Sequence, residues 1–233
     1  MISVNRHSIP IIELIGEDSI PVVIIDDYAN NLDEIINQVA NNANFDTDNI
    51  TSYPGIRSSI PKDLVVSYLK PLMKGIFQIY NVPKSLKPSP KDNYFSLITT
   101  KPSELTPIQS WPHFDTPNPN LLAVIHYLGK GEHGGIGFFE HKKSGLICID
   151  KNNKEYFYQC ADDYLNSSDA KAFGYCQEQH SEFICYKKIA YKTNRLIIFP
   201  GQLLHSTLVD LNTDIDPNPA SGRLTANMFV EFK

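Results

Sequence analysis

The feature that most constrains the fold of this chain is a change of sequence pattern near Tyr94. From there on, short apolar runs alternate with turn residues, which is typical of a β protein. The candidate strands are residues 94–100, 107–114, 121–128, 135–140, 183–192, 195–199, 202–209 and 223–232. A set of short strands like this predicts a double-sheet jelly roll.

The first 90 residues, which we call the preface, show mainly helical patterns instead of a series of short strands. The expected elements are a strand at 20–26, a helix from Asn30 or Asn31 to about Ala43, a loop at 46–59 and a helical stretch at 61–80. Pro71 lies inside the last stretch, so a kink or two shorter helices are expected there. We therefore predict one mainly β domain with helices (α+β), residues 1–233, whose helices pack on one sheet of a core at 91–233.

A polar and aromatic segment at about 151–182 interrupts the strands of the core, and we expect it to be an insertion over the mouth of the barrel. The loop at 212–221 is rich in Asp, Asn and Pro, and it is expected at the surface.

Composition narrows the choice of partners. The net charge is −5, and no basic run exceeds two residues, so nucleic acid is not expected to bind. The four cysteines show no Cys-x-x-Cys spacing, which favours reduced thiols in a cytoplasmic protein over two disulfides. No apolar run is long enough for a membrane span, and no signal peptide is evident. The sequence specifies no oligomeric state.

Two histidines and an aspartate are candidate metal ligands. His113 and Asp115 are two positions apart, so on a strand their side chains share a face and can bind one ion. His205, in the penultimate candidate strand, would add a second imidazole from a distant part of the chain. Two histidines and one carboxylate form the facial triad of non-haem iron(II) oxygenases. The alternatives are a surface His-Asp pair and a core histidine among leucines.

The last strand is polar on one face, where Arg223, Thr225 and Asn227 alternate with apolar residues. Such alternation indicates a strand that lines a wet cavity or an edge strand that faces solvent. An arginine in a cavity would bind a carboxylate through its planar fork, with Thr225 assisting. Arg57 and His141 are further candidates for contact with a substrate, as is Asn227.

The remaining histidines are expected to have no role at the site. His126 lies in an apolar run and is expected in the core. His7, His133 and His180 are expected at the surface.

At these residues the chain resembles the iron(II)/2-oxoglutarate-dependent dioxygenases, in particular the prolyl-hydroxylase-like and phytanoyl-CoA-dioxygenase-like branches. It most resembles an uncharacterised bacterial family of such proteins. The motifs that carry the resemblance are Pro112 to Asp115, Gly134 to His141, Asn194-Arg195-Leu196, His205-Ser206 and Gly222 to Thr225, with Tyr53 to Arg57 in the preface.

The resemblance implies a double-stranded β-helix, the cupin-like form of the jelly roll, with iron(II) on His113, Asp115 and His205. It also implies that Arg223 binds the distal carboxylate of 2-oxoglutarate, with help from Thr225, and that oxygen is the oxidant. The expected reaction is hydroxylation of a small molecule or an amino-acid side chain, free or in a peptide. Arg223 follows His205 at a greater distance than in most relatives, and the excess lies in the 212–221 loop.

Two other functions are consistent with the same residues. One is a cupin-like metal enzyme that uses no keto acid, for which Arg223 would be dispensable. The other is a binding protein that keeps the barrel and the ligands but catalyses no reaction.

Overall fold

In a computed structural model, which describes residues 1–47, 52–166 and 174–233, the chain is mostly antiparallel β structure with few helices. The strands are β1 (Ile11–Ile15), β2 (Ile20–Ile25), β3 (Asp46–Thr47), β4 (Gly55–Ser59), β5 (Pro88–Ile98), β6 (Leu121–Tyr127), β7 (Ile136–His141), β8 (Phe183–Ile189), β9 (Leu196–Pro200), β10 (His205–Thr207) and β11 (Thr225–Phe232). The helices are α1 (Leu32–Asn42), α2 (Lys62–Leu69), α3 (Met73–Ile79) and α4 (Lys154–Leu165). Within the described ranges, none of these helices combines the length and the apolar composition that a membrane span requires.

The strands form two sheets. Eight of them build the major sheet in the order β1-β2-β9-β6-β11-β5-β4-β3, and three build the minor sheet in the order β10-β7-β8. Paired strands run antiparallel in both sheets. From β6 onward the chain passes repeatedly from one sheet to the other, which is consistent with a jelly-roll-like fold. The described strands stay in two separate sheets and do not close into a barrel.

Period-two alternation gives the major sheet an apolar outer face. In β11 the side chains of Ala226, Met228 and Val230 are completely buried on this face. They share one hydrophobic cluster with side chains from helices α1, α2 and α3, among them Ile35 and Tyr68. The predicted packing of the preface helices on one sheet is thereby confirmed.

The inner faces of the two sheets meet in a second hydrophobic cluster. Phe138 of β7 packs edge-on against Phe199 of β9, with ring centroids 5.3 Å apart. Residues of β2 and β6 join the same cluster. We call the region between these inner faces the inter-sheet space, and the polar face of β11 opens into it.

Local expectations in the preface were met in part. The 61–80 stretch divides at Pro71 into α2, a 3-10 turn at Lys70–Leu72 and α3, as the proline predicts. The prediction of a loop at 46–59 was wrong, because β4 pairs with β5 over five residues. Gly55 permits this pairing, since a Cβ there would lie 2.0 Å from the carbonyl oxygen of Leu97. Residues 48–51 of that loop lie outside the described residues.

The prediction of a strand at 107–114 was also wrong. Residues Pro107–Ser110 form a 3-10 turn, which Pro107 favours at its first position. The side chain of Gln109 accepts a hydrogen bond from the backbone N–H of Thr106 at 2.8 Å and closes the turn. Only His113 of this segment makes a strand-like pairing, and its partner is His205.

The described part of the 151–182 insertion contains helix α4. Its Phe157 contacts His141, with ring centroids 5.5 Å apart, and shares a hydrophobic cluster with Phe183 on the outer face of the minor sheet. Helix α4 therefore covers an outer face instead of lying over the mouth of the barrel. Tyr175, later in the same insertion, joins a different cluster with Ile98 and Val209, and its hydroxyl donates to the carbonyl oxygen of Thr100 at 2.7 Å. Residues 167–173, which were expected to belong to the same cover, lie outside the described residues.

Two glycine substitutions should have opposite effects on stability. A Cβ at Gly134 would lie 1.6 Å from the carbonyl oxygen of Leu208, so Gly134→Ala should lower the free energy of unfolding by about 2–3 kcal/mol. Gly75, in α3, has open space around such a Cβ, so Gly75→Ala should raise it by about 0.5–1 kcal/mol. Urea unfolding measures both, and equal effects of the two substitutions would contradict this account of the Gly134 contact.

Candidate metal centre

The side chains of His113, Asp115 and His205 converge on one point. One potential ligand atom from each lies within 4.8 Å of the other two. Asp115 Oδ1 is 3.8 Å from the Nε2 atoms of both histidines, and the imidazole centroids are 4.4 Å apart. In a bound complex, ligand atoms about 2.1 Å from an ion lie roughly 3 Å apart at right angles, so an ion would draw these three atoms together.

Backbone hydrogen bonds hold the three residues in place. His113 and His205 exchange two of them, at 2.9 and 2.8 Å, which makes them directly opposed residues of an antiparallel pair. The N–H of Asp115 donates to the carbonyl oxygen of Gly201 at 2.7 Å. Gly201 lies so close that a Cβ there would be 3.2 Å from Asp115 Oδ2.

The metal site is open on one side. The His205 side chain is 7% exposed and packs against Phe199, whereas the His113 side chain is 55% exposed. Phe114, between the first two ligands, contacts Phe157 of α4. Side chains alternate along this short extended segment, so His113 and Asp115 point to one side as ligands and Phe114 points to the other side, where it packs.

A hydrogen bond selects the tautomer of His205. Its Nδ1 lies 2.8 Å from the carbonyl oxygen of Leu203, which can only accept, so Nδ1 carries the proton. The lone pair of Nε2 is then available to a metal, and this is the usual arrangement of a metal-binding histidine. The role of Leu203 was not evident in the sequence, because any residue supplies a carbonyl group.

The electrostatics of the cluster suit a divalent cation. Burial lowers the pKa of His205 to about 4. Desolvation by the surrounding protein and the neighbouring His205 also lower the pKa of His113, although more than half of its side chain is exposed. Burial raises the pKa of Asp115 to about 6, although His113 and Arg57 act against this rise. Asp115 Oδ2 is buried and accepts no hydrogen bond among the described residues. Neutral imidazoles cannot compensate the aspartate charge, whereas a divalent ion on the three ligands would.

Arg223 lies next to β11 and is only 4% exposed. Its Nε donates to the carbonyl oxygen of Gly134 at 2.8 Å, and Nη2 donates to that of Gly135 at 3.4 Å. The guanidinium also lies over the rings of Tyr127 and Tyr191, 5.2 and 5.8 Å from their centroids. These two hydrogen bonds use two of its five N–H groups.

Asp214 partly balances the charge of Arg223. Its carboxylate is completely buried, 3.7 Å from Arg223 Nε and 2.9 Å from Nδ1 of His133. Burial would raise the pKa of Asp214, but the hydrogen bonds from His133 and the backbone, together with Arg223, hold it below its ordinary value. The loop at 212–221 lies mainly at the surface, as predicted, but Asp214 within it is buried. The prediction of a surface His133 was wrong, since its side chain is only 2% exposed beside Asp214.

Thr225 and Asn227 face the inter-sheet space and not solvent. Thr225 is 1% exposed. The amide Nδ2 of Asn227 donates to Ser96 Oγ at 2.8 Å and to Thr225 Oγ1 at 2.9 Å. The alternative interpretation of an edge strand that faces solvent is wrong, because β11 lies between β6 and β5 inside the major sheet.

Arg57 joins the same polar row of the major sheet. Cross-strand register places Arg57 opposite Ser96, Ser96 opposite Thr225, and Thr225 opposite Tyr127. The Arg57 guanidinium lies 4.1 Å from the ring centroid of Tyr53. The charge of Arg57 influences the pKa of both His113 and Asp115. Arg57 therefore lies at the end of the row that is nearer to the metal ligands.

His141 is not brought to the metal. It is completely buried, and its contacts with Phe157 and Phe183 are on the outer face of the minor sheet, away from His205. His126 is also buried, between the Tyr68 hydroxyl at 3.1 Å and Asn194 at 3.0 Å, so its predicted core position is confirmed.

Comparison with known families assigns the sequence to a protein family. The model of the family of unknown function DUF6445 matches residues 8–230. The chain belongs to this family. No curated protein sequence matches it.

Solved structures of similar fold are known. HygX from Streptomyces hygroscopicus, with nickel and 2-oxoglutarate bound, has a TM-score of 0.50 and 11% identity and covers 92% of this chain and 84% of its own. HygX with nickel, 2-oxoglutarate and hygromycin B bound has a TM-score of 0.48 at the same identity and coverage. EvdO2 from Micromonospora carbonacea var. aurantiaca has a TM-score of 0.46 at 11% identity and covers 97% of this chain and 94% of its own. At this identity, the likeness to HygX shows a shared fold alone.

Removing the charge of Asp115 should lower the affinity for metal without lowering the stability of the metal-free protein. Asp115→Asn should weaken binding of Mn²⁺ or Fe²⁺ by about 100-fold or more, since it removes the anionic ligand. The free energy of unfolding of the metal-free protein should stay unchanged or rise by about 1 kcal/mol, because a buried, uncompensated charge is lost.

Anaerobic calorimetric titration and urea unfolding measure the two effects. The matched control is Asp163→Asn, which changes a surface ion pair with Lys143 and should alter neither quantity appreciably. Metal binding by Asp115→Asn at the wild-type affinity would rule out Asp115 as a ligand.

Proposed function

We propose that this protein is an iron(II)- and 2-oxoglutarate-dependent oxygenase with a double-stranded β-helix, and that it hydroxylates a small molecule or an amino-acid side chain. The observation that carries the proposal is the convergence of His113, Asp115 and His205 in a cluster that is open on one side. Two imidazoles and one carboxylate with open positions are typical of non-haem iron(II) oxygenases. The fold shared with HygX, a protein that binds nickel and 2-oxoglutarate, agrees with it.

The residues present fit the metal. Asp115 presents a buried Oδ2 that accepts no hydrogen bond in the part of the chain that the structure describes, and His205 presents Nε2 because Leu203 holds its other nitrogen. His113, Asp115 and His205 would therefore hold iron(II). Iron and 2-oxoglutarate, when bound, would supply the oxidising chemistry with oxygen. The chain would position the ligands and shield the inner side of the site with Phe199.

Arg223 and Thr225 are the proposed partners of the distal carboxylate of 2-oxoglutarate. Arg223 donates to the carbonyl oxygens of Gly134 and Gly135, and its guanidinium carries five N–H groups in all. Thr225 Oγ1 already accepts a hydrogen bond from Asn227, so the hydrogen of its hydroxyl group is available to a carboxylate. Asn227, which we expected to contact substrate, would thereby orient the binding pocket.

Arg57 is proposed to contact an anionic group of the substrate, because its charge lies within range of His113 and Asp115 on the metal side of the polar row. The buried position of His141 gives no support to a direct contact of that residue with substrate.

Anaerobic addition of iron(II) and 2-oxoglutarate should produce a visible charge-transfer band, and admission of air should release succinate. Arg223→Lys keeps the positive charge but loses the planar fork, so it should weaken 2-oxoglutarate binding by about 10- to 100-fold and leave metal affinity unchanged. Arg6→Ala, at an exposed position, is the control.

The alternatives give different results. A cupin-like enzyme without a keto acid would bind iron and show no band that depends on Arg223. A binding protein without catalysis would release no succinate in air.

A further inference from the structure

Helix α4 of the insertion packs against residues 111–115, which we call the metal-binding segment because it carries two of the three candidate ligands. Phe157 and Tyr164 are seven positions apart on α4, a spacing that places them on one face of the helix. Both belong to the hydrophobic cluster on the outer face of the minor sheet. Trp111 and Phe114, from the metal-binding segment, belong to the same cluster.

Two ring contacts join the segment to this face of the helix. The ring centroids of Phe114 and Phe157 are 5.9 Å apart in the first turn of α4, and those of Trp111 and Tyr164 are 5.4 Å apart in its last turn. Seven helical residues rise about 10.5 Å, and three residues of extended chain span about 10 Å. The segment and the helix are therefore matched in length and run in opposite directions, so that both contacts form at once.

Phe114 connects this contact to the metal ligands. It lies between His113 and Asp115, and because side chains alternate along extended chain, its ring points away from the ligand side. The ring is half-buried, and its centroid also lies 5.9 Å from that of Tyr158 on α4. A ring held by α4 resists rotation of the segment about its own axis. Such a rotation would carry two ligand side chains away from His205.

The metal-binding segment has little strand pairing to supply the same restraint. Among the described residues, it lies outside the named strands and makes one isolated bridge, between His113 and His205. The N–H of Asp115 adds a bond to the carbonyl oxygen of Gly201. In a longer antiparallel ladder, repeated hydrogen bonds fix the direction of each side chain. Here the packing of Phe114 on α4 contributes part of that restraint.

We propose that Phe114 is a positioning residue of the metal centre, and that helix α4 is the surface that fixes its ring. Phe114 makes no bond to the ion and acts through the direction of His113 and Asp115. Partners behind metal ligands commonly influence metal affinity in this way. The inference rests on the proposed function, since it concerns the same metal. The 151–182 insertion thus supports the metal centre from behind the ligands.

A matched pair of phenylalanines separates positioning from general stability. Phe77 of α3 is half-buried like Phe114 and makes an edge-on contact with Phe232, with ring centroids 5.4 Å apart. Phe114→Ala and Phe77→Ala should both lower the urea midpoint. Only Phe114→Ala should weaken binding of Mn²⁺ to the metal-free protein, by about 10-fold, and shift the visible absorption bands of the Co²⁺-loaded protein. Anaerobic calorimetry and absorption spectroscopy measure the two effects.

A second pair tests the part of α4 and changes only exposed side chains. Tyr156 and Tyr158 are 50% and 46% exposed on this helix, and the ring of Tyr158 contacts Phe114. Tyr158→Ala should weaken Mn²⁺ binding by about 3-fold, the equivalent of one aromatic contact. Tyr156→Ala and Tyr158→Phe should leave it unchanged. The losses from Tyr158→Ala and Phe114→Ala should not add in the double variant, because both remove the same contact.

The proposal and the function on which it rests fail on different results. Wild-type Mn²⁺ affinity in Phe114→Ala, or an equal loss in Phe77→Ala, would overturn the positioning role of Phe114. Unchanged affinity in Tyr158→Ala, or additive losses in the double variant, would overturn the part of α4. If Phe114→Ala does not fold, Tyr158→Ala and its two controls decide the question by themselves. If the wild type binds neither Mn²⁺ nor Fe²⁺, the proposed function itself fails, and the inference fails with it.

Discussion

The two backbone hydrogen bonds between His113 and His205 are the constraint on which the candidate site depends. They pair residues about ninety positions apart, and they set both imidazoles on the same side of a short antiparallel ladder. Asp115 follows on that side because side chains two positions apart share a face of extended chain. Its own bond to Gly201 then sets the carboxylate close to both rings. Convergence of the three ligands is thus a consequence of strand pairing.

Around this pairing the fold buries polar groups that an apolar core would not contain. Asp115 has a carboxylate oxygen that accepts no hydrogen bond within the described ranges, and Arg223 and Asp214 hold opposite charges out of water. Each group lowers the stability of the ligand-free chain, because desolvation is not fully compensated. The extensive hydrophobic clusters on both faces of the major sheet offset this cost and leave the inter-sheet space suited to a charged ligand.

Sequence patterns predicted the features whose cause is local. The alternation from Arg223 to Val230 predicted a strand with one polar face, and Pro71 predicted the division of a helix, since both follow from the geometry of a few neighbouring residues. Features that depend on partners elsewhere were missed. β4 forms because β5 pairs with it, and Asp214 is buried because Arg223 and His133 meet it across loops that are distant in sequence.

The sequence by itself determined the chemistry that the chain can offer: two imidazoles, an aspartate two positions from one of them, and an arginine on a polar strand face. Only the tertiary structure decided which groups meet. It paired His113 with His205, gave Leu203 the role of orienting an imidazole, placed His141 on the outer face and set Tyr127 beside Arg223. The physical reason is that strand register and the packing of the two sheets bring together residues far apart in the chain. No local pattern encodes those pairings.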